Sequence, residues 1–177
     1  FGGLQGTNPF TTLRRRKEEG LKLIVIDPRR SELATQADIH LQTRPGEDPT
    51  LLAALLNVIL SEGLHDVAFC EEWVAPGHLE ALADAVRDFT PAYAAERCDV
   101  IDKDIVEAAY LFAEGPTGTA GTGTGPSMSP YPSLMEHLVI SLNVVCGRWL
   151  RAGETAESRS LLQPDTPKRA QVLGPFD

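Results

Sequence analysis

The stretch Leu23-Ile24-Val25-Ile26-Asp27-Pro28-Arg29-Arg30 decides the fold, because it is an apolar, β-branched run that ends in a carboxylate. In α/β folds, a carboxylate at the end of a buried strand binds the hydroxyls of a nucleotide ribose. Asp27 lies 21 residues after Gly6 of a glycine-containing loop, close to the roughly 20-residue offset of dinucleotide-binding units. The pattern predicts a nucleotide-bearing ligand, with a plain turn residue before Pro28 as the alternative role of Asp27.

Around this strand, segments of helical period alternate with short β-rich runs, which is typical of a parallel sheet covered by helices. We predict an α/β fold with a mainly parallel sheet and, in the middle of the chain, a helical excursion. The predicted helices cover 11–19, 49–62, 66–73, 79–89, 91–97, a segment capped by Asp102, and 134–145; a short helical turn covers 31–36, and strands cover 21–26 and 39–43.

The stretch Thr117 to Ser127 reads TGTAGTGTGPS and has two interpretations. Its composition fits a flexible linker. The alternation of Thr with Gly also fits a strand that runs into a loop with exposed backbone. Both alternatives stay open on the residues alone.

Composition limits the function. The chain has 177 residues, 42% hydrophobic content and a net charge of −9, with a pI near 4.9. One core is expected, and the negative charge argues against nucleic acid and anionic membrane surfaces as partners. The longest apolar run, 51–60, is too short to span a bilayer, and no targeting segment can be read, because the chain shows no basic-then-apolar leader.

The cysteines and histidines predict neither a disulfide framework nor a metal site. Three cysteines are widely spaced, and the four histidines lack the spacing of metal ligands. Free cysteines weakly favour a reducing compartment, so we expect a cytoplasmic location, with the periplasm still open. No nucleophile motif is present, and Cys146 within an apolar helix is expected to be core. We therefore predict no catalytic residue.

Asp48 has two candidate roles. It precedes Pro49 at the start of a strong helix, which favours an ordinary N-cap. Its carboxylate could instead accept hydrogen bonds from a base with adjacent N–H groups, as guanine has, where Gly46 lets the ligand approach the backbone.

The basic run 14–17 is expected to be a solvated helix face, with a phosphate or an acidic neighbour as the alternative.

The ordered series of these motifs resembles the molybdopterin oxidoreductase family, which includes formate dehydrogenases, nitrate reductases and dimethyl sulfoxide reductases. The resemblance covers roughly the first 150 residues. It is carried by Gly6-Thr7-Asn8-Pro9, Lys22 to Glu32, Ala37 to Leu41, Arg44-Pro45-Gly46-Glu47-Asp48, Glu62 to Asp66, Phe89-Thr90-Pro91 and Gly123-Thr124-Gly125.

The resemblance implies a Rossmann-like three-layer αβα domain over 1–150, followed by an extended segment over 151–177. The domain would bind one guanine dinucleotide arm of a bis-molybdopterin guanine dinucleotide cofactor that carries molybdenum. The implied cofactor-binding residues are Asn8 in the first loop, Asp27 and Arg29 at the strand end, Gly46 and Asp48 at the base, and Gly123 and Gly125 near the pterin.

The resemblance also implies what the chain lacks. The molybdenum ligand and any iron–sulfur cluster would lie upstream of Phe1, so this segment alone is expected to be inactive. Its expected partners are the remaining domains of the same enzyme and electron-transfer subunits. At the downstream edge, Cys146 and Arg148 replace the family's threonine and asparagine. A freestanding nucleotide-binding domain, or a structural domain without redox activity, is the alternative.

Overall fold

The computed structural model describes residues 9–151, 153–156, 168 and 169. Within them, eight helices accompany a small parallel sheet, which confirms the predicted mixed α/β class. The helices are α1 Pro9–Glu18, α2 Asp48–Ser61, α3 Val67–Trp73, α4 His78–Val86, α5 Pro91–Cys98, α6 Asp102–Glu114, α7 Thr124–Ser127 and α8 Pro132–Val145. The strands are β1 Ile24–Ile26, β2 Ile39–Leu41, β3 Thr155–Ala156 and β4 Lys168–Arg169.

Strands β1 and β2 form the parallel pair, with Ile24 opposite Ile39 and Ile26 opposite Leu41. A single 3-10 turn, Ala34–Gln36, lies on the connection between them. Strands β3 and β4 pair antiparallel and form a separate two-stranded sheet. Asn8 and most of the segment 151–177 lie outside the described residues.

Helix α2 is the centre of the hydrophobic core. It contacts α4, α5, α6 and α8, and apolar side chains on nearly all of its faces are buried. Leu51, Leu56 and Ile59 are completely buried. A helix that is apolar all round must be enclosed by other elements, and the neighbouring helices enclose it here.

Both predicted strands are too long at one end. Leu21 does not begin β1, because its N–H donates to Arg16 O and closes α1, with Gly20 at φ +100°. The Leu23 N–H donates to the Asp38 carboxylate at 2.9 Å. At the end of β2, the Thr43 N–H turns back to Leu41 O at 3.0 Å.

Two predicted helix boundaries are corrected in the helical excursion. Helix α4 ends at Val86 rather than at Phe89. At this end, the Asn57 side-chain amide donates to Val86 O and to Arg87 O, each at 3.1 Å. The N-cap of α6 is Ile101, so Asp102 is its first residue instead of its cap. Thr90, by contrast, is confirmed as the N-cap of α5, because its side chain accepts the Tyr93 N–H.

The Thr-Gly stretch forms no strand in the described structure, so that interpretation is wrong. Residues 124–127 form the short helix α7. The N–H and the C=O of Ala120 both bond to the Asn143 side-chain amide on α8, each at 2.9 Å. Because Asn143 takes the backbone groups that a neighbouring strand would need, the segment is fixed as a loop against α8.

Candidate functional site

The carboxyl ends of β1 and β2 meet at Asp27. Its backbone N–H donates to Leu41 O at 3.3 Å, and its C=O accepts the His40 Nε2 at 2.9 Å. The Asp27 Oδ1 accepts the Arg29 N–H at 2.8 Å, so the side chain does stabilise the turn after β1. One such bond leaves acceptor capacity on a carboxylate, and the half-buried side chain lies where ligands of parallel α/β sheets bind.

Gly46 forms the turn between β2 and α2. Its φ is +91°, and a Cβ built there would have nothing within 4 Å. Glycine is therefore required by the backbone conformation and not by lack of space. The turn is closed by the Glu47 N–H, which donates to Arg44 O at 3.1 Å. It leaves Gly46 exposed two residues before Asp48.

Asp48 is the first residue of α2 and not its N-cap, so the capping interpretation is wrong. Glu47 occupies the cap position, and Pro49 follows Asp48 within the first turn. Pro49 has no N–H to offer, and its fixed φ suits a helix start. The Asp48 carboxyl is thus not occupied with capping α2.

The Asp48 carboxyl is half-buried, and its charged form is disfavoured. Burial raises the pKa of the Asp48 carboxyl, the N–H groups of Asp48 and Gly46 oppose that rise, and the nearby negative charge of Asp27 adds to it. A carboxylate that is half-buried and near a like charge lacks full compensation for its own charge. A ligand with N–H donors would supply that compensation.

A cationic edge follows Asp27. Arg29 and Arg30 are exposed and line a surface depression of ≈ 550 Å³ together with Phe10, Ser31, Glu32 and Leu33. Two guanidinium groups beside a strand-end carboxylate are suited to an anionic group such as a phosphate. Of the basic run on α1, Arg14 to Arg16 are exposed as predicted, whereas Lys17 binds an acidic neighbour, Asp38, at 2.8 Å.

Gly123 and Gly125 lie in a different part of the molecule. Both are exposed at the start of α7, and a Cβ at either position would meet nothing within 4 Å. The hydrogen bonds around them lead to α8, where Thr122 Oγ1 donates to Glu136 Oε1 at 2.6 Å. Asp27, Gly46 and Asp48 therefore lie after the two parallel strands. The two glycines lie at the start of α7, which packs against α8.

Sequence reasoning missed the residues that hold the glycine loop in place. Asn143 is buried on α8 and also donates to Val139 O at 2.9 Å. Arg148 donates to Phe112 O at 2.6 Å and to Ala113 O at 3.1 Å, so it binds the carboxyl end of α6. An asparagine inside an apolar helix was the available signal for Asn143, because a buried amide needs partners.

The remaining reactive side chains form no second site. In the described residues, no group of His, Cys, Asp and Glu side chains could hold a metal ion. Cys70, Cys98 and Cys146 are free and buried, and burial raises the pKa of Cys146 to about 11. A thiol with so high a pKa is protonated at neutral pH, so Cys146 belongs to the core as predicted. The described helices are too short or too polar to cross a membrane.

A parallel strand pair that ends in a carboxylate, followed by a glycine turn and a second carboxylate at a helix start, is the arrangement of an α/β domain. The molybdopterin oxidoreductase family model matches residues 5–160, and the chain belongs to that family. The ordered series of motifs predicted this membership, which is confirmed.

Several characterised relatives show the same assignment. The alpha subunit of a formate dehydrogenase of Methanocaldococcus jannaschii is 38% identical over 100 residues, which are 56% of this chain and 15% of that protein. The periplasmic nitrate reductase of Desulfovibrio desulfuricans is 30% identical over 158 residues, covering 84% of this chain and 21% of that protein. The structure of acetylene hydratase from Pelobacter acetylenicus superposes with a TM-score of 0.75 at 30% identity, over 81% of this chain and 19% of that one.

The chain thus spans only about a fifth or less of the length of these relatives.

Proposed function

We propose that this chain binds one guanine dinucleotide arm of a bis-molybdopterin cofactor within a longer molybdenum-dependent oxidoreductase. The observation that carries the proposal is the Asp27 carboxylate at the end of a parallel strand pair, together with the half-buried Asp48 carboxylate at the start of the helix that follows β2. The same proposal includes a cofactor-binding domain over residues 1–150 and an extended segment over 151–177.

The Asp48 site fits guanine. Guanine presents its N1–H and its exocyclic amino group side by side, and a carboxylate offers two oxygens at a matching separation. Two such donors would stabilise the charged form of a carboxyl whose pKa is raised in the free chain. Adenine presents an acceptor nitrogen at the corresponding ring position, so it would leave one oxygen without a donor.

The Asp27 site fits ribose. Its carboxylate lies at the end of β1 and already accepts one backbone N–H, and its remaining acceptor capacity suits the sugar hydroxyls. Arg29, which is exposed directly after it, would bind the neighbouring phosphates. In this proposal, Asn8 belongs to the same ligand-binding edge, and Gly123 and Gly125 approach the pterin.

When bound, the cofactor supplies a metal that changes oxidation state by two electrons during reaction with a small substrate. The contribution of this chain is to bind and orient the cofactor, and no residue of it is assigned a catalytic role. The remaining domains of the enzyme would complete the active site, electron-transfer subunits would act as its partners, and an iron–sulfur cluster would belong to an upstream region. We place the enzyme in the cytoplasm, with the periplasm as the alternative.

Titration calorimetry of the purified 177-residue chain with GDP and ADP tests the proposal. We expect GDP to bind more tightly than ADP, and Asp48→Asn to weaken GDP by about 1–3 kcal/mol, or about 5- to 150-fold. Asp102→Asn is the matched control, because Asp102 is likewise the first residue of a helix but is exposed. Equal affinities for GDP and ADP, or equal effects of the two substitutions, contradict the proposal.

A further inference from the structure

The turn that carries Gly46 and Asp48 is held to helix α5 by an ion pair. Arg97 Nη2 donates to Glu47 Oε1 at 2.7 Å, and Arg97 Nε donates to Glu47 Oε2 at 3.3 Å. Both oxygens of the carboxylate therefore bind the guanidinium. A two-pronged contact fixes orientation as well as distance, because the guanidinium is planar.

Glu47 is fixed further by its neighbours. Thr50 Oγ1 donates to Glu47 Oε2 at 2.7 Å, and the Glu47 C=O accepts the Leu51 N–H at 3.1 Å at the start of α2. Its side chain is 22% exposed, against 50% for Arg97. Glu47 lies between Gly46 and Asp48 in the sequence, so restraining it restrains both neighbours.

A backbone contact joins the same two segments. The Arg44 N–H donates to Cys98 O at 2.9 Å, and the Cys98 thiol lies 3.6 Å from Glu47 O. Helix α5 therefore contacts both ends of the turn 44–47. The turn needs this support, because glycine at φ +91° is the residue that loses most conformational freedom on folding.

We infer that Arg97 is a positioning residue for guanine recognition, acting through Glu47 on the backbone of Gly46 and the carboxylate of Asp48. This inference rests on the proposed function and assigns the selectivity between bases to an ion pair outside the ligand site. Arg97 lies on α5, and its side chain donates to Glu47, which lies between Gly46 and Asp48 in the sequence. A carboxylate displaced by even about 1 Å can no longer align two hydrogen bonds to one base.

Two variants with opposite charge changes test the inference. Arg97→Gln removes a cation and Glu47→Gln removes an anion. If the pair acted only through long-range electrostatics, Arg97→Gln would weaken the binding of every anionic nucleotide and Glu47→Gln would strengthen it. Positioning instead predicts that both variants weaken GDP by about 5-fold or more and leave ADP within about 2-fold.

Arg87→Gln is the control, because Arg87 forms an exposed ion pair with Asp84 on α4, remote from the turn. Arg87→Gln should leave the affinities for both GDP and ADP unchanged. Arg97→Lys keeps the charge but not the planar fork, so it should restore only part of the GDP affinity. Faster amide hydrogen exchange at Gly46 in both glutamine variants, with a cooperative thermal transition retained, would show that the turn itself has loosened.

The outcomes separate this inference from the proposed function. Selective GDP binding by the parent chain that persists in Arg97→Gln and Glu47→Gln overturns the role of Arg97 alone. Parallel changes in GDP and ADP overturn it as well, because they indicate an effect of charge. A parent chain that does not distinguish GDP from ADP overturns both proposals.

Discussion

Helix α2 and the strand-end site lie in one continuous structure, but the first buries apolar side chains and the second half-buries a charged one. The apolar side chains of α2 are enclosed by four other helices, and Leu51, Leu56 and Ile59 are completely buried. Strands β1 and β2 have three residues each and end at a half-buried carboxylate. The helices thus supply the stability of the domain, and the short sheet can present groups that are unfavourable until a ligand binds them.

Two adjacent residues show the same contrast in their electrostatics. The hydrogen bond from Arg97 and that from Thr50 hold the pKa of Glu47 below its usual value. Burial raises the pKa of Asp48, with Asp27 adding to the rise. Glu47 is therefore compensated within the fold, whereas the backbone N–H groups of Gly46 and Asp48 compensate the Asp48 carboxylate only in part. Such a difference between neighbours is typical of a binding site.

The largest expected effect comes from a substitution that leaves a cavity beside α2. Ile59→Ala should lower the free energy of unfolding by about 2–5 kcal/mol, because Ile59 is completely buried and its loss leaves a void. Urea unfolding measures the change. Leu21→Ala is the control, since Leu21 is exposed and should cost far less. A loss below about 1 kcal/mol for Ile59→Ala would show that α2 is not the centre of stability.

The next largest effect is expected where α8 binds the glycine loop. Asn143→Ala should cost about 1–3 kcal/mol, because it leaves the N–H and C=O of Ala120 without their partner. Asn57→Ala removes the hydrogen bonds that α2 donates to Val86 O and Arg87 O at the end of α4. Because the bond to Arg87 O is exposed, this substitution should cost about 0.5–1.5 kcal/mol. If the two substitutions cost the same in urea unfolding, the loop is not anchored by Asn143.

Asp48→Asn should not destabilise the chain at pH 7, and a gain of up to about 1 kcal/mol is expected. A raised folded-state pKa makes Asp48 favour folding below the ordinary aspartate value of 3.8, and that contribution is lost as the pH rises through the folded-state pKa. The advantage of the variant should therefore grow between about pH 4 and pH 7.

Glu47→Gln should change the stability in the opposite direction. The lowered pKa of Glu47 contributes stability above its ordinary value of 4.5, and this stability is lost as the pH falls through the folded-state pKa. Its variant should be less stable than the parent at pH 7, and the difference should shrink in acid. Urea unfolding at several pH values measures both variants, and equal signs for Asp48→Asn and Glu47→Gln would refute the contrast.

Asp27→Asn should give the smallest change in stability, within about 0.5 kcal/mol, because asparagine can accept the Arg29 N–H in the same turn. Its effect on ligands is more informative. Ribose is common to GDP and ADP, so Asp27→Asn should weaken both by a similar factor, about 5-fold. Calorimetry with both nucleotides would count against the ribose assignment if GDP alone were weakened.

The sequence predicted the elements whose pattern is local. Apolar spacing located α2 and α8, and the run Ile24-Val25-Ile26 with Pro28 located β1 and the turn after it. Side chains distant in the sequence determined what was missed. Asn143 fixes Ala120 as a loop, Asn57 ends α4, and Asp38 shortens β1. No local propensity contains these contacts.

The same distinction holds at the site. Asp27 and Asp48 were predicted from motifs along the chain, and the structure adds that their charges interact. The contribution of Arg97, 50 residues after Glu47, depends on tertiary packing and carries no sequence signal of its own.

The most direct measurement is the carboxyl carbon NMR titration of Asp48 in the free chain and in the presence of GDP. In the free chain, we expect its pKa above the ordinary aspartate value of 3.8. Saturating GDP should lower it, because the guanine N–H groups stabilise the charged carboxylate, and ADP should leave it nearly unchanged. A pKa of Asp48 that is the same with and without GDP would contradict the assignment of this carboxyl to guanine.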